Sequence, residues 1–416
     1  MSCRATVGRF RLKPNAFSRE RDLPFARLVT FMLNLCKGST EQELAGLCSV
    51  LDGQAVAGTV PTRAAFSKAR KGLSDKLFSH LNRLAIKTFY RGWSTPTWHG
   101  FRLRAVDGTT FRLPPGEALE RAFGAQRNGP TLARGSILYD IGHDLVLDAQ
   151  VAATCVGEYE LAIEHLAHAE PGDLLIYDRG YPAFWLFALH RHLGIDFCMR
   201  LSRSSFAPAQ AFFDSAERSR IVTLNPSAEQ RRACRDQRVP AEPIRVRLVR
   251  VTLRGGETEV LATSVLEEER LPARLFAALY HQRWSAEEHI KRQKRWAEIE
   301  NFSGRSPLAM RQDIQARILA MNLAAMVRNV AQLLAERRFA HRRFRYQVRA
   351  CSTLSAMKDN LVRLLLGDGE QQRRLLERLV LHLASAVDAV RPNRSFPRQN
   401  PGKLKPGFHP AYKRVA

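Results

Sequence analysis

The sequence predicts an α/β chain: a mixed β-sheet with helical cover, interrupted by a β-rich insertion and flanked by helical N-terminal and C-terminal domains. Three observations predict it. Residues 96–201 read strand, strand, strand, helix, strand, helix, strand, the order of a mixed sheet with helices packed on it. Residues 244–253 and 258–265 alternate apolar and polar on either side of Gly255-Gly256, a hairpin signal. Residues 1–95 and those after 346 lack strand alternation and look helical. The expected divisions are 1–95, 96–201, 202–266, 267–345 and 346–416, with 96–201 and 267–345 as two parts of one domain.

In the first division an apolar-rich helix is expected over 26–36. Ser39, with Gln42 three residues on, outlines a capping box for the next. A basic helix carrying Arg63, Lys68, Arg70 and Lys71 should follow Pro61, and another helix should cover 76–91. In the sheet region 101–106 (F-R-L-R-A-V) alternates and should end at Asp107-Gly108. Strands over 134–141 and 145–154, a helix over 157–169 and a brief buried strand over 173–177 come next. That strand ends at Asp178-Arg179-Gly180-Tyr181. A helix over 182–192 has Pro near its start, where it is tolerated, and a strand over 195–201 closes the region.

The insertion at 202–266 holds a short strand at 221–224 and the hairpin, whose Arg245, Arg247 and Arg250 would stand on exposed or polyanion-facing positions. Leu271-Pro272 opens a long helical region, broken at 301–307, and 310–336 is a second long helix. Residues 337–350 are strongly basic, and 360–390 hold a final helix or pair. From Arg391 the tail has seven Lys or Arg, no acidic residue and five Pro, the composition of a disordered basic arm.

The 416 residues carry 65 Lys and Arg against 40 Asp and Glu, a formal charge of +25. That excess implies a polyanionic partner, nucleic acid before acidic membrane. No apolar run approaches the ~18 residues of a membrane-spanning helix, and no signal-peptide core is visible, so the membrane reading falls away. With this charge, the helical first division reads as a DNA-binding domain of helix-turn-helix type, against a bundle whose charges face water. The seven cysteines are scattered and form no C-x-x-C, which argues against a zinc ribbon or a disulfide framework and fits a reducing, intracellular compartment.

The chemistry-bearing residues begin with Tyr280 to Lys294, Y-H-Q-R-W-S-A-E-E-H-I-K-R-Q-K, which holds no Pro and no Gly. As one helix it would stack Tyr280, Arg283, Glu287 and Lys294 on one face at spacings of three, four and seven. Taken alone, such a face could be no more than solvated salt-bridging charge. Asp107 and Asp178, each at a predicted strand end, would supply Glu287 with partners, although an Asp near a Gly is by itself usually a turn former. Three converging carboxylates suit two Mg²⁺ ions, with Mn²⁺ able to substitute, and two such ions clamp the attacking and leaving oxygens of a phosphoryl displacement. His281 and His289 read as surface or packing histidines.

Asp107-Gly-Thr, Asp178-Arg-Gly-Tyr and Y-x2-R-x3-E-x6-K together resemble the DDE transposases of bacterial insertion sequences, in the subgroup with the Y-R-E-K signature. Ala16-Phe-Ser-Arg-Glu-Arg-Asp-Leu-Pro-Phe, Ala65-Phe-Ser-Lys-Ala-Arg, Arg112-Leu-Pro and Val260-Leu-Ala-Thr-Ser are similar to segments of that subgroup. The resemblance covers about residues 14 to 330; Ala286 departs from it, where a larger apolar residue is common. It implies a ribonuclease-H-like catalytic core, and metal-dependent cleavage of double-stranded DNA at inverted-repeat ends with joining to target DNA. Cut-and-paste movement by a homodimer in the bacterial cytoplasm, on the nucleoid, is implied too.

Asp107, Asp178 and Glu287 would then be catalytic and metal-binding. Tyr280, Arg283, Lys294, Lys291 and Arg200 would contact DNA. Trp284 would either stack on a displaced base, worth roughly 1–3 kcal/mol, or anchor its helix to the core. A catalytically silent DNA-binding relative and a nuclease without strand transfer are the alternatives.

Overall fold

The computed structural model describes residues 4–19, 22–53, 59–126, 129–252, 256–358 and 360–391. The expected basic arm beyond Arg391 and the Gly255 half of the hairpin turn lie outside the described residues. The chain divides into two compact units: 1–89, 111–133 and 291–416 form the first; 90–110 and 134–290 form the second.

The second unit carries the sheet. Its strands are β1 (Arg102–Arg112), β2 (Leu132–Asp140), β3 (Leu145–Ala153), β4 (Asp173–Tyr177), β5 (Asp196–Leu201), β6 (Ser219–Leu224), β7 (Ile244–Thr252) and β8 (Thr258–Thr263). They lie in the order β3-β2-β1-β4-β5-β8-β7-β6. β4 runs parallel to both β1 and β5, and β5, β8, β7 and β6 alternate in direction. β1, β4 and β5 form the parallel part of this mixed sheet. β4 sits at its centre and all five of its residues (D-L-L-I-Y) are buried, as a parallel strand covered on both faces requires. Leu174, Ile176, Cys198, Val249 and Leu261 pack with Phe276, Leu279 and Tyr280. Burying a side chain such as Phe276 is worth about 1.5–3 kcal/mol.

Two expectations change here. β1 does not stop at Asp107 but continues to Arg112; Thr109, Thr110 and Phe111 favour extension, and pairing with β2 carries the strand through Gly108. The insertion is not only β. Helices Ala207–Asp214 and Ala228–Asp236 lie within it, the second closed by a Ser227/Gln230 capping box. Its strands join the sheet, with β8 taking the open edge of β5 and satisfying its backbone groups.

Arg247 is not exposed. It is 1% accessible and donates to Ser219 Oγ and to Leu271 O, each at 2.8 Å, and to Glu268. Arg250 donates to the Phe212 and Ser215 carbonyls at 2.5 and 2.7 Å, so it holds the insertion together. Arg245 is exposed, as expected.

The first unit is helical. Phe25–Leu33, Thr40–Asp52, Arg63–Arg70 and Lys76–Gly92 follow the sequence reading, with Ser39 accepting from the Gln42 amide as cap. Their core, Leu28, Phe31, Phe66 and Phe78, continues through Ala316 and Leu319 of the long helix Pro307–Arg338. That helix contains a window of mean hydropathy 1.4, long and apolar enough to cross a membrane by composition, contrary to the sequence expectation. Half of the window is buried within the fold, as in a core helix.

Arg70 also departs from expectation. It is buried, donating to Asp313 Oδ1 at 2.8 Å and to Gln312 Oε1 at 2.9 Å, so it ties the basic helix to the long one rather than facing a partner. Lys68 and Lys71 remain exposed. The C-terminal part adds a two-stranded sheet, Arg345–Val348 with Val387–Val390, around the helix Gly369–Leu383. Among the described residues every cysteine is free; Cys36, Cys48, Cys198 and Cys234 are buried.

Candidate active site

β1 and β4 are adjacent parallel strands, paired from Arg102 with Asp173 to Ala105 with Ile176. Two residues past that last pair on each strand stand Asp107 and Asp178, so the ladder sets the two carboxylates side by side. Asp107 lies within β1 and Asp178 one residue beyond β4. The chain turns at once after Asp178: the Tyr181 amide donates back to its carbonyl at 3.2 Å, and the helix Phe184–Leu193 follows.

Glu287 arrives from a different direction. The stretch 280–294 is not the single helix expected. It is a helix Phe276–His281, a tightened turn, and a helix Trp284–Arg295. Through the turn the amides of Gln282, Arg283, Ser285 and Ala286 each bond three residues back, the tighter 3₁₀ spacing. The four signature residues therefore do not form one face. Tyr280 and Arg283 turn inward, each 5% accessible, and Glu287 is half-buried.

Arg283 joins the carboxylates. Its guanidinium lies 2.5 Å from Glu287 Oε1 and 3.7 Å from Asp107 Oδ1. Tyr280 donates its hydroxyl to Asp178 Oδ1 at 3.0 Å. Arg200, on β5, lies 3.0 Å from the same oxygen and bonds Glu259 Oε1 at 2.5 Å. Tyr280, Arg283 and Arg200, expected at phosphates, thus rest on carboxylates, because a buried cation or phenol needs a partner.

These surroundings push the two aspartates apart. Burial raises Asp107 to about 6, from an ordinary 3.8; Arg283 opposes the rise while Glu287 and Asp178 add to it. Burial acts upward on Asp178 too, but the Arg179 amide, Arg283, Arg200 and Tyr280 outweigh it and hold Asp178 below its ordinary value. Opposed shifts in neighbouring carboxylates are a mark of functional sites.

Among the described residues no three His, Cys, Asp or Glu side chains stand close enough together to hold a metal ion. The donor set nonetheless fits one. Asp107, Asp178 and Glu287 are hard oxygen ligands of the kind Mg²⁺ and Mn²⁺ prefer. Their mutual repulsion, read in Asp107, is the charge arrangement that a divalent cation neutralises. Asp107, Asp178 and Glu287 are the residues that would hold such a cation, and Arg283 lies on two of them.

The remaining sequence candidates divide. Trp284 is 38% accessible, which removes the reading of a buried core anchor. Lys294 and Lys291 follow Glu287 on the same helix, in the part of the chain assigned to the helical unit. Lys294 lies 3.4 Å from Glu300, and Lys291 is exposed. His289 is a packing residue: it is buried, bonded to Asp144 at 2.9 Å and set against Tyr139. His281 is exposed.

The sequence reading passed over Glu259 on β8, which bonds Arg200 beside Asp178. It stands in no local pattern; the pairing of β8 with β5 brings it in. In the helical unit, an open hollow of about 740 Å³ is lined by Lys13, Asn15, Ser18, Arg19, Lys68 and Lys71 among others.

Among curated proteins none matches the chain. A cryo-EM structure of the piggyBac transposase synaptic complex with hairpin DNA is similar at a TM-score of 0.44 and 11% identity, over 89% of this chain and 76% of that one. The family model "Transposase DDE domain" matches residues 98–323, more than half of the chain, and takes in Asp107, Asp178 and Glu287. The chain belongs to the DDE transposase domain family.

Proposed function

We propose that the protein is a DNA transposase of the insertion-sequence type with the Y-R-E-K signature. It would bind the inverted-repeat ends of its element as a homodimer, cut them, and join the 3′-hydroxyl ends to target DNA by a cut-and-paste route. The observation that carries this reading is Arg283, which pairs with Glu287, stands 3.7 Å from Asp107 and bears electrostatically on Asp178. The charge of +25 supports a polyanionic substrate.

Two Mg²⁺ ions, or Mn²⁺ in their place, would supply Lewis acidity and an activated water for in-line displacement at phosphorus. The residues of the chain do the rest. Asp107 and Glu287 release Arg283 when their charge is met elsewhere, and the freed guanidinium turns to the scissile phosphate, which it can grip with two donors. Tyr280 and Arg200 fix the Asp178 carboxylate through its Oδ1, so that its second oxygen keeps one direction. Hydrolysis breaks the P–O3′ bond, leaving a 3′-hydroxyl and a 5′-phosphate. The 3′-hydroxyl then attacks the opposite strand or the target phosphodiester, and a second O3′ leaves.

Lys291 and Lys294, which follow Glu287 on its own helix, would hold the flanking backbone. Trp284, exposed, would stack on a base opened at the cut.

The test uses duplex DNA carrying the inverted repeats that flank the gene. Full-length protein with Mg²⁺ should nick at the repeat boundary and, given precut ends, join them to plasmid. Asp178→Ala should bind the repeats and cut nothing. Cutting by Asp178→Ala at the rate of the unaltered protein would overturn the proposal.

A further inference from the structure

The helix that carries Glu287, Trp284–Arg295, has little to fix it by apolar packing alone. Of its residues up to Ile290, the last in the sheet-bearing unit, only Ala286, His289 and Ile290 are buried. Ala286 offers a single methyl group. Apolar contact is non-directional, so one methyl and one isoleucine restrain a helix weakly against rotation about its axis. His289 is the polar member of that buried set. It follows Glu287 by two residues, and any turn or slide of the helix that moves its imidazole moves the Glu287 carboxylate as well.

His289 is fastened to the turn between β2 and β3. Its Nδ1 donates to Asp144 Oδ1 at 2.9 Å, and the Tyr139 hydroxyl donates to the same oxygen. The Tyr139 ring, near the end of β2, lies against the imidazole with ring centroids 4.9 Å apart. His289 and Tyr139 are each 2% accessible. One carboxylate oxygen thus receives a donor from the sheet and a donor from the helix, in the interior, where hydrogen bonds to a charged group are strong.

A second observation sets Asp144 apart from an ordinary turn residue. Its backbone is left-handed, with φ 58°, a conformation that is unfavourable for a residue with a side chain and that Asp and Asn tolerate better than most. Glycine would adopt it freely. The turn is held from its other side too: Asp140 accepts the Gly142 amide at 3.0 Å, His143 Nδ1 at 2.9 Å and the Tyr90 hydroxyl at 2.5 Å. The strained backbone is therefore locked in place, and it delivers the Asp144 carboxylate to the helix.

We propose that Asp144 is a positioning residue for the cutting reaction. Through His289 it fixes the rotation and height of the helix on which Glu287 stands, and so the place of the Glu287 carboxylate. This rests on the reading of Asp107, Asp178 and Glu287 as a cation-dependent site. The alternative is a buried pair that serves stability alone.

The test measures Mn²⁺ affinity by calorimetry and cutting of a repeat-bearing duplex, on full-length proteins whose melting temperatures are also taken. Asp144→Gly suits the left-handed backbone and removes the carboxylate; it should weaken Mn²⁺ binding and lower kcat by about tenfold or more, with the KM for duplex unchanged. His289→Phe, which keeps a ring against Tyr139, should do the same. Asp144→Asn keeps an acceptor oxygen and should stay within about threefold of the unaltered protein. Because the effect passes through Glu287, Asp144→Gly should weaken Mn²⁺ binding no further in a chain that already carries Glu287→Gln. Unchanged Mn²⁺ affinity in Asp144→Gly and His289→Phe would overturn the proposal and leave the carboxylate site standing. So would a loss in Asp144→Asn as deep as in Asp144→Gly, or a full further loss on top of Glu287→Gln. Failure of both Asp144→Gly and His289→Phe to fold would overturn it in favour of the structural pair. Absence of Mn²⁺ binding by the unaltered protein at millimolar concentration would overturn it together with the carboxylate site.

Discussion

Replacing Asp107 by Asn should make the protein more stable while ending its chemistry. Asp107 is mostly buried, and burial with two neighbouring carboxylates lifts its pKa to about 6 from 3.8. A difference of that size means that the ionised form costs about 3 kcal/mol in the folded state. Asparagine fills the same space without the charge. Some of the gain is returned, because Arg283 loses one of its two partners, 3.7 Å away, and keeps Glu287. The expected net gain is about 1–3 kcal/mol at pH 8 with chelator present.

The pH dependence follows from the direction of the shift. A carboxyl with a raised folded pKa binds its proton more tightly when folded, so stability falls as pH rises from about 4 to about 6 and stays lowered above. The advantage of Asp107→Asn is therefore full at pH 7–8 and closes as pH falls through about 6 toward 4. Urea unfolding midpoints of both proteins at pH 8 and pH 4.5 measure it. An Asn variant no more stable than the unaltered protein at pH 8, or a gap equal at both pH values, would refute the assignment of a desolvated, repelled carboxylate.

Three further outcomes are expected. Tyr280→Phe keeps the ring in the core and removes one hydrogen bond to Asp178; a bond to a charged group is worth about 1.5–3 kcal/mol, so the melting temperature should fall modestly and cleavage by the folded protein should slow at least about tenfold, and an unchanged rate would remove Tyr280 from the site. Mn²⁺ affinity should fall about tenfold per pH unit below about 6, where Asp107 takes up its proton; calorimetry that places this loss near pH 4 would contradict the raised value. Arg247→Ala strips the Ser219 hydroxyl and the Leu271 carbonyl of their donor in the interior, and should cost about 2–4 kcal/mol in urea unfolding without altering cleavage by the folded fraction.

Much of the site was legible because it rests on short local signals. The apolar strand 173–177 ending at Asp178-Arg-Gly-Tyr, and the Y-R-E-K spacing, are patterns of neighbouring residues, and in the structure Arg283 of the second pairs with Glu287 and bears on Asp178 of the first. What failed depended on distant partners. Asp107-Gly108 looks like a turn in isolation, yet β2 pairs along β1 and extends it to Arg112. Arg247 and Arg70 look like surface charge until Glu268 and Asp313 arrive from 21 and 243 residues away. The stretch 280–294 contains no helix breaker, and its turn goes with the burial of Tyr280 and Arg283 against partners from other segments.

Cutting of DNA by full-length Asp178→Asn, beside the unaltered protein, on a repeat-bearing duplex tests whether Asp107, Asp178 and Glu287 act as one cation-dependent site. Asparagine preserves the shape and the bond from Tyr280 while removing the charge. The expected result is equal binding of the duplex by both proteins, cutting by the unaltered protein only when Mg²⁺ or Mn²⁺ is present, and at least a thousandfold loss, ~4 kcal/mol, in the variant. Cutting by the variant at a comparable rate, or by the unaltered protein in chelator, would contradict it.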